Sequence, residues 1–486
     1  MSSLKQKTIS GLKWSFADSF VNQGIQFIVG IILARLLSPN EFGLIGMITI
    51  FIAISQSFID SGFSQALIRK NNCTQRDYST VFYFNLIIGF LFYFILFFSA
   101  GTIGNFFKEP QLVLLVRVLG INLLINAAGI IQRTILTKRI DFKLQTKISV
   151  IASILSGFIS IIMAYTGWGV WSLVWKTITQ NIFITLLLWL WNNWKPMLLF
   201  SIKSFKEMYS FGSKLLLSGL IDTIYNNVYY MIIGKFFSAK ELGYYSRADQ
   251  FNKLPSSGLS SIIQRVSYPV LSTIQDDKEK LKSVYQKLIK STMYITFVLM
   301  IGLAAVAKSL ILTLIGVKWL PAVPYLQLLC FSGMLVPLHI LNISMLNLKG
   351  RSDLVLKLEI LKKTLAAPIV IIGIFWGIRE MLLGMIIISL IAYFLNSYWS
   401  GKLTNYSVKE QIKDIFPSFL LATFMGITIA IPSYFLLLKP VFVFIIQFGF
   451  GVLIIISLSK LLKIEAYMEI RKILRDKYSR IFSIKK

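Results

Sequence analysis

Residues 34–44 read ARLLSPNEFGL, and residues 234–244 read GKFFSAKELGY. Ser38 and Ser238, Glu41 and Glu241, and Gly43 and Gly243 coincide at one offset of 200 residues, and Arg35 faces Lys235. Each copy follows a long apolar run that carries amides and a carboxylate. A chain that repeats itself in this way within apolar surroundings predicts a membrane protein of two like halves. Such proteins usually place their site between the halves, because repeats that rock against each other expose it to either side in turn.

The echo extends further. LTKRIDFKL (136–144) matches LKGRSDLVL (348–356), aligning Arg139 with Arg351 and Asp141 with Asp353. GWGVW (167–171) matches WGIRE (376–380) more weakly and pairs Gly169 with Gly377. The three matches keep the same order. They divide the chain into an N-lobe (1–205, spans one to six), a C-lobe (206–405, spans seven to twelve), an accessory pair of spans (406–462) and a basic cytoplasmic tail (463–486). Six spans separate the two copies, so the halves run in the same direction, related by an axis along the membrane normal.

Composition sets the class. Of 486 residues, 56% are hydrophobic and only 15% charged, with a mean hydropathy of +0.70; a soluble domain would be roughly 45–50% apolar and about 25% charged. Apolar stretches near the ~20 residues that cross a bilayer recur throughout. We read an all-α polytopic protein of about fourteen transmembrane helices, near 14–37, 42–64, 79–102, 111–132, 148–165, 169–191, 209–233, 244–274, 291–316, 322–347, 354–376, 381–400, 415–437 and 440–460. The first residues, MSSLKQKTISGLKW, lack the pattern of a cleaved secretory signal.

The formal charge of +29 would suggest nucleic acid in a soluble protein. Here it reports topology. With the N-terminus in the cytoplasm, 36 of the 50 lysines and arginines fall in or beside inner segments and 7 in or beside outer loops. This bias places both termini inside and excludes nucleic acid as a partner. The outer loops are short, which disfavours an enzyme acting on the outer face. Cys73 and Cys330 form no metal-ligand spacing and no disulfide. His339, the only histidine, lies in an apolar span and is expected to be hydrogen-bonded within the packing. There is no P-loop and no nucleophile–histidine pairing, so no catalytic residue and no metal site is assigned.

Polar side chains within spans are costly and mark function. Span one carries Asp18, Asn22 and Gln26, spaced to share one helical face. Span seven carries Ser218, Asp222 and Asn226, the same positions plus 200. The two stripes line a water-filled cavity between the halves, or they bond helices together as packing; their length of three turns favours the cavity. Asp60, in span two, is a candidate for carrying a coupling proton or for pairing with a cation. Span eight carries Arg247, Lys253 and Arg265, and span seven carries Lys214. Arginine's planar fork suits phosphate, and these four cations are candidates to hold it. Snorkelling to headgroups is the competing explanation; it takes Arg117, Lys176 and Lys308, near span ends. Pro255, Ser256, Ser257 and Gly258 allow span eight to bend.

These residues resemble a family. ARLLSPNEFGL between spans one and two, together with LGYYSRADQFNKLPSSGLSSIIQRVSYPVLS (242–272), QALIRK (65–70), RIDFKL (139–144) and GWGVWSLV (167–174), is similar to the polysaccharide exporters of the multidrug/oligosaccharidyl-lipid/polysaccharide flippase superfamily. Those include O-antigen, colanic-acid and teichuronic-acid repeat-unit flippases. The resemblance implies an inner-membrane protein whose two six-helix lobes form a V. Its substrate would be an undecaprenyl-diphosphate-linked oligosaccharide repeat unit for surface polysaccharide, its diphosphate held in a cationic cavity between the lobes and its lipid tail left in the bilayer. Alternating access would carry the sugars from the inner to the outer leaflet. The implied partners are membrane lipids and the polymerase and glycosyltransferases of the same biosynthesis. No cofactor is implied; H+, Na+ or the membrane potential could drive the step, the ions through Asp18, Asp60 or Asp222. A cation-coupled multidrug antiporter of the same superfamily would favour carboxylates over the arginines of span eight. A membrane glycan polymerase or ligase sits poorly with the short outer loops and the internal repeat.

Overall fold

A computed structural model describes residues 2–435, 438–472 and 475; within that range the side chains of residues 2–13, 16, 257, 261, 262, 265, 266 and 434 lie outside the description. Every regular element among the described residues is helical. In chain order these are α1 (Ser2–Leu36), α2 (Pro39–Asp60), α3 (Phe63–Arg69), α4 (Gln75–Phe107), α5 (Leu112–Lys138), α6 (Phe142–Tyr165), α7 (Val170–Trp191), α8 (Ile202–Phe236) and α9 (Ala239–Ser272). There follow α10 (Lys278–Leu314), a 3-10 turn (Val317–Trp319), α11 (Ala322–Gly333), α12 (Val336–Leu348), α13 (Ser352–Trp376), α14 (Ile378–Thr404), α15 (Val408–Ala430), α16 (Pro432–Phe435) and α17 (Pro440–Leu461).

Eleven helical stretches among the described residues are long and apolar enough to cross a membrane. The chain is a multi-pass integral membrane protein. The expected fourteen spans add α8, α9 and α13 to these. Those three are long enough to cross, but polar or charged side chains interrupt each of them: Asp222, Asn226 and Asn227 in α8, Arg247, Asp249 and Lys253 in α9, and Glu359, Lys362 and Lys363 in α13. Helix ends are set by local chemistry. The Glu41 carboxylate accepts the Ser38 N–H at 2.6 Å, and Pro39 opens α2 at a position that needs no donor. Asp77 accepts the Thr74 N–H at 2.8 Å to start α4, and Glu410 accepts the Ser407 N–H at 2.7 Å to start α15. Gly169 and Gly377 stand at the N-caps of α7 and α14 with φ of +54° and +122°. The weakest sequence echo therefore marks one backbone device used twice.

The chain divides into two compact units, Met1–Ser246 and Arg247–Lys486, with the boundary inside α9. In the first unit α1 packs on α6, α6 on α7, α4 on α5, and α8 on α2. Lipid removes the hydrophobic drive between helices, so close packing of small residues supplies it. The buried face of α6 is built that way, from Ser149, Ala152, Ser153, Ser156, Gly157, Ser160 and Ala164. A Cβ on Gly157 would lie 2.7 Å from Val29 Cγ2 of α1.

The second unit is organised around α10, which packs against α11, α15 and α17; α14 packs against α11, α12 and α13. Its core holds a hydrogen-bonded polar set. The Tyr285 hydroxyl donates to Asn342 Oδ1 at 3.0 Å, and the Asn342 amide donates to the Leu338 carbonyl at 2.9 Å. His339 Nε2 lies 3.3 Å from Ser389 Oγ and Nδ1 lies 3.5 Å from the Asn396 amide, the packing role expected of it. Beyond α17, Glu465 pairs with Lys290 at 2.7 Å and Glu469 with Lys287 at 3.1 Å, tying the segment after residue 462 to the start of α10. The Lys290 ammonium holds the Glu465 carboxyl below its ordinary range.

Candidate functional site

The two copies of the opening echo touch each other. A Cβ on Gly43 would sit 1.6 Å from the Ala239 carbonyl oxygen, and a Cβ on Gly243 would sit 1.9 Å from the Pro39 carbonyl oxygen. Each glycine therefore lets the other copy's first helical turn lie directly on its backbone. Both contacts fall within the first unit, because the first turns of α9 belong to it. The Ser-x-x-Glu caps hold these turns in place: Glu41 serves the Ser38 N–H, and the Glu241 N–H donates to Ser238 Oγ at 3.1 Å. Lys235, the partner of Arg35 in the echo, donates to the Phe106 carbonyl and stands 4.2 Å over the Phe106 ring.

The two polar stripes differ. On α1, Asn22 donates to Asp18 Oδ1 at 2.6 Å and to Ser149 Oγ at 2.8 Å, and Ser149 also donates to Asp18. Ser153 donates to Asn22 Oδ1 at 2.9 Å, Gln26 to Gln180 Oε1 at 3.1 Å, and Gln180 to Ser153 Oγ at 3.3 Å. This is one network across α1, α6 and α7. On α8, Ser218, Asp222 and Asn226 are all exposed. The neighbouring face of α8 carries the packing: Thr223 Oγ1 lies 3.0 Å from Ser57 Oγ of α2, and a Cβ on Gly212 would meet Phe63 at 2.7 Å.

Asp60 accepts from Ser64 at 2.7 Å. It ends α2, where Ser61 and Gly62 both turn left-handed (φ +48° and +68°), so the expected single span breaks there and resumes as α3. A Cβ on Gly62 would lie 2.8 Å from the Gly212 carbonyl oxygen, which is why this break requires glycine.

The four phosphate candidates fall in two different units. Lys214 is exposed on α8, in the first unit. Arg247 is half-buried at the start of the second unit. Lys253 is exposed and ion-paired at 2.6 Å to the buried Asp249 one turn before it, so its charge is partly answered on its own helix. The Arg265 side chain lies outside the described residues. Helix α9 runs unbroken through Pro255 and Pro269. No cluster of three metal-ligating side chains occurs among the described residues.

Sequence reasoning missed the partners of the first stripe, Ser149, Ser153 and Gln180. A signal existed, since serines at 149, 153, 156 and 160 form a small polar face on span five. It also missed an apolar groove of about 370 Å³ between α10, α15 and α17, lined by Leu299, Gly302, Val306, Met425, Phe448 and Gly451 among others. The one amide at its wall, Gln447, is fully engaged with Ser309, Ser433 Oγ at 2.7 Å and the Ile429 carbonyl at 2.6 Å. No charged side chain lines it.

Comparison with known proteins places this architecture. Residues 32–324 match the family described as polysaccharide biosynthesis protein. The teichuronic acid biosynthesis protein TuaB of Bacillus subtilis (strain 168) is 30% identical over 73% of this chain and 74% of its own length. The lipopolysaccharide biosynthesis protein WzxC of Escherichia coli (strain K12) is 25% identical over 89% of this chain and 87% of its own. Among solved structures, the lipid II flippase MurJ in an inward closed conformation superposes with a TM-score of 0.73 at 18% identity, covering 93% of this chain and 98% of MurJ. The chain belongs to the polysaccharide biosynthesis protein family and has the fold of the multidrug/oligosaccharidyl-lipid/polysaccharide superfamily.

Proposed function

We propose that this chain is a flippase, not an enzyme, that moves an undecaprenyl-diphosphate-linked oligosaccharide repeat unit from the inner to the outer leaflet of the bacterial cytoplasmic membrane by alternating access. Its relatives TuaB and WzxC are named for teichuronic acid and lipopolysaccharide biosynthesis, and the match runs through most of the chain. The observation that carries the lipid-linked part of the reading is the apolar groove between α10, α15 and α17. A polyprenyl chain must remain in an apolar phase while its diphosphate and sugars pass, and a wall without charge and with its one amide satisfied offers that phase. The accessory helices α15 and α17 thereby acquire a task. The exposed polar stripe of α8 and the exposed Lys214 on the same helix are the groups best suited to the diphosphate and sugar head. Both termini lie in the cytoplasm on this reading, as the charge bias requires.

The test is deletion of the gene and complementation. Loss of surface polysaccharide with lipid-linked repeat units accumulating on the inner leaflet supports the reading. Normal surface glycan in the deletion strain, or accumulation of unpolymerised units already on the outer leaflet, contradicts it. Gly302→Phe or Gly451→Phe should fill the groove, since neither glycine meets a neighbour closer than 3.4 Å. Export should then fall although the protein still reaches the membrane.

A further inference from the structure

A polar cavity of about 500 Å³ opens at the end of the first unit where α3, α4 and α5 meet the segment after α7. Asn71, Asn72, Tyr78, Lys138, Arg139 and Trp194 are among its lining residues, and none of the lining residues is a carboxylate. Lys138 forms the back wall. Its ammonium donates to the Leu67 carbonyl at 2.9 Å and to the Lys70 carbonyl, and lies 2.9 Å from Cys73 Sγ. Arg139 is exposed at the C-cap of α5, and its guanidinium donates to no group among the described residues.

The repeat supplies a control for Arg139. Its counterpart Arg351 is locked to Asp353 by two parallel bonds of 2.9 Å each. Asp141, the counterpart of Asp353, instead accepts the Leu144 N–H at 3.1 Å and caps α6. The backbone explains the difference. In the second copy the left-handed residue is Gly350, before the arginine (φ +70°). In the first it is Ile140, after the arginine (φ +60°). A β-branched residue in that region is a genuine outlier, and such outliers persist where the surroundings impose them, often at binding sites. Here the turn parts Arg139 from its own carboxylate and leaves it on the cavity wall.

We propose that this cavity binds a phosphate group, with the Arg139 guanidinium gripping two oxygens, the Asn71 and Asn72 amides donating to the rim, and Lys138 supplying charge from behind. A planar fork with no competing carboxylate fits a phosphate better than a neutral sugar. The cavity lies where α3 ends at Arg69, α4 begins at Gln75, α5 ends at Lys138 and α7 ends at Trp191. With Trp189, Trp191 and Trp194 nearby in sequence, this is the depth of lipid headgroups. A phosphate there comes either from an anionic lipid or from a free phosphate in the water, and the inference does not depend on which substrate the protein transports.

The experiment uses the full-length purified protein in two arms. Native mass spectrometry counts phosphatidylglycerol retained against phosphatidylcholine, and titration calorimetry measures inorganic pyrophosphate. Arg139→Gln and Asn72→Leu should each weaken binding, Arg139→Gln by about tenfold, in at least one arm. The control Arg133→Gln, which removes an equal exposed charge from the same helix outside the cavity, should not. Loss in the lipid arm identifies a headgroup site, and loss in the pyrophosphate arm identifies a soluble-phosphate site. Equal retention and equal affinity across wild type and all three variants, at matched thermal stability, would overturn the proposal, as would no binding by wild type in either arm.

Discussion

Two stripes of identical spacing, 200 residues apart, meet different environments, one half-buried and one exposed. Asp18, Asn22 and Gln26 are drawn into a network with Ser149, Ser153 and Gln180 that joins three helices. Ser218, Asp222 and Asn226 stand exposed on α8, while a different face of that helix takes the packing against α2. The polar positions recur at one spacing, and what surrounds each copy differs. The first stripe holds a unit together, and we assign the second to the substrate. Where the copies are most alike, at the glycines of the opening echo, they are in direct mutual contact.

The largest effect is expected at that contact. Gly43→Val or Gly243→Val forces side-chain atoms into a carbonyl already 1.6 or 1.9 Å from the Cβ position. The cost should reach or exceed the ~3 kcal/mol upper end of ordinary overpacking. Membrane-inserted protein and surface glycan should both be lost. If Gly43→Val accumulates and exports normally, the two echoes do not form a shared contact.

Next comes a direct contrast of the stripes. Asn22→Leu strands Asp18, Ser149 and Ser153 and should cost about 1–3 kcal/mol, lowering the unfolding temperature by several degrees. Asn226→Leu should leave that temperature unchanged. Equal shifts in the two variants would erase the distinction drawn here. Asp222→Asn and Lys214→Gln, on the exposed side of the comparison, should reduce glycan export severalfold at unchanged protein level and unfolding temperature. A fall in stability matching the fall in export would return the second stripe to a packing role.

The smallest effect concerns the end of the second unit. The folded Glu465 carboxyl titrates below its ordinary 4.5 because Lys290 faces it. A depressed carboxylate contributes stability that is present above the unfolded value and lost as pH falls through the folded one. Protease cleavage after residue 462 should therefore rise slightly on acidification below about 4.5, and Lys290→Gln should remove that pH dependence.

Much of this was legible in the sequence, for identifiable reasons. A Ser-x-x-Glu cap and a glycine at a backbone crossing each demand one residue type at one spacing, so the echo could be read as a repeated device. All-helical character followed from apolar runs. The i,i+4 pairing of Asp249 with Lys253 was equally readable, and it tempers Lys253 as a phosphate ligand. The fate of the first stripe was not readable from spacing, because its partners lie 127 to 154 residues away. Nor was the turn at Ile140, where an isoleucine occupies a conformation its side chain disfavours. The break at Ser61–Gly62 had a signal in its Ser-Gly pair, hidden within an apolar run.

The most direct measurement is translocation in proteoliposomes loaded with undecaprenyl-diphosphate-linked oligosaccharide, scored by access of a membrane-impermeant glycan-modifying reagent to the opposite leaflet. Translocation should depend on the protein and be lost in an Asp222→Asn, Asn226→Leu double variant of unchanged stability. No translocation by the wild-type protein, or an undiminished rate in the double variant, would contradict this reading.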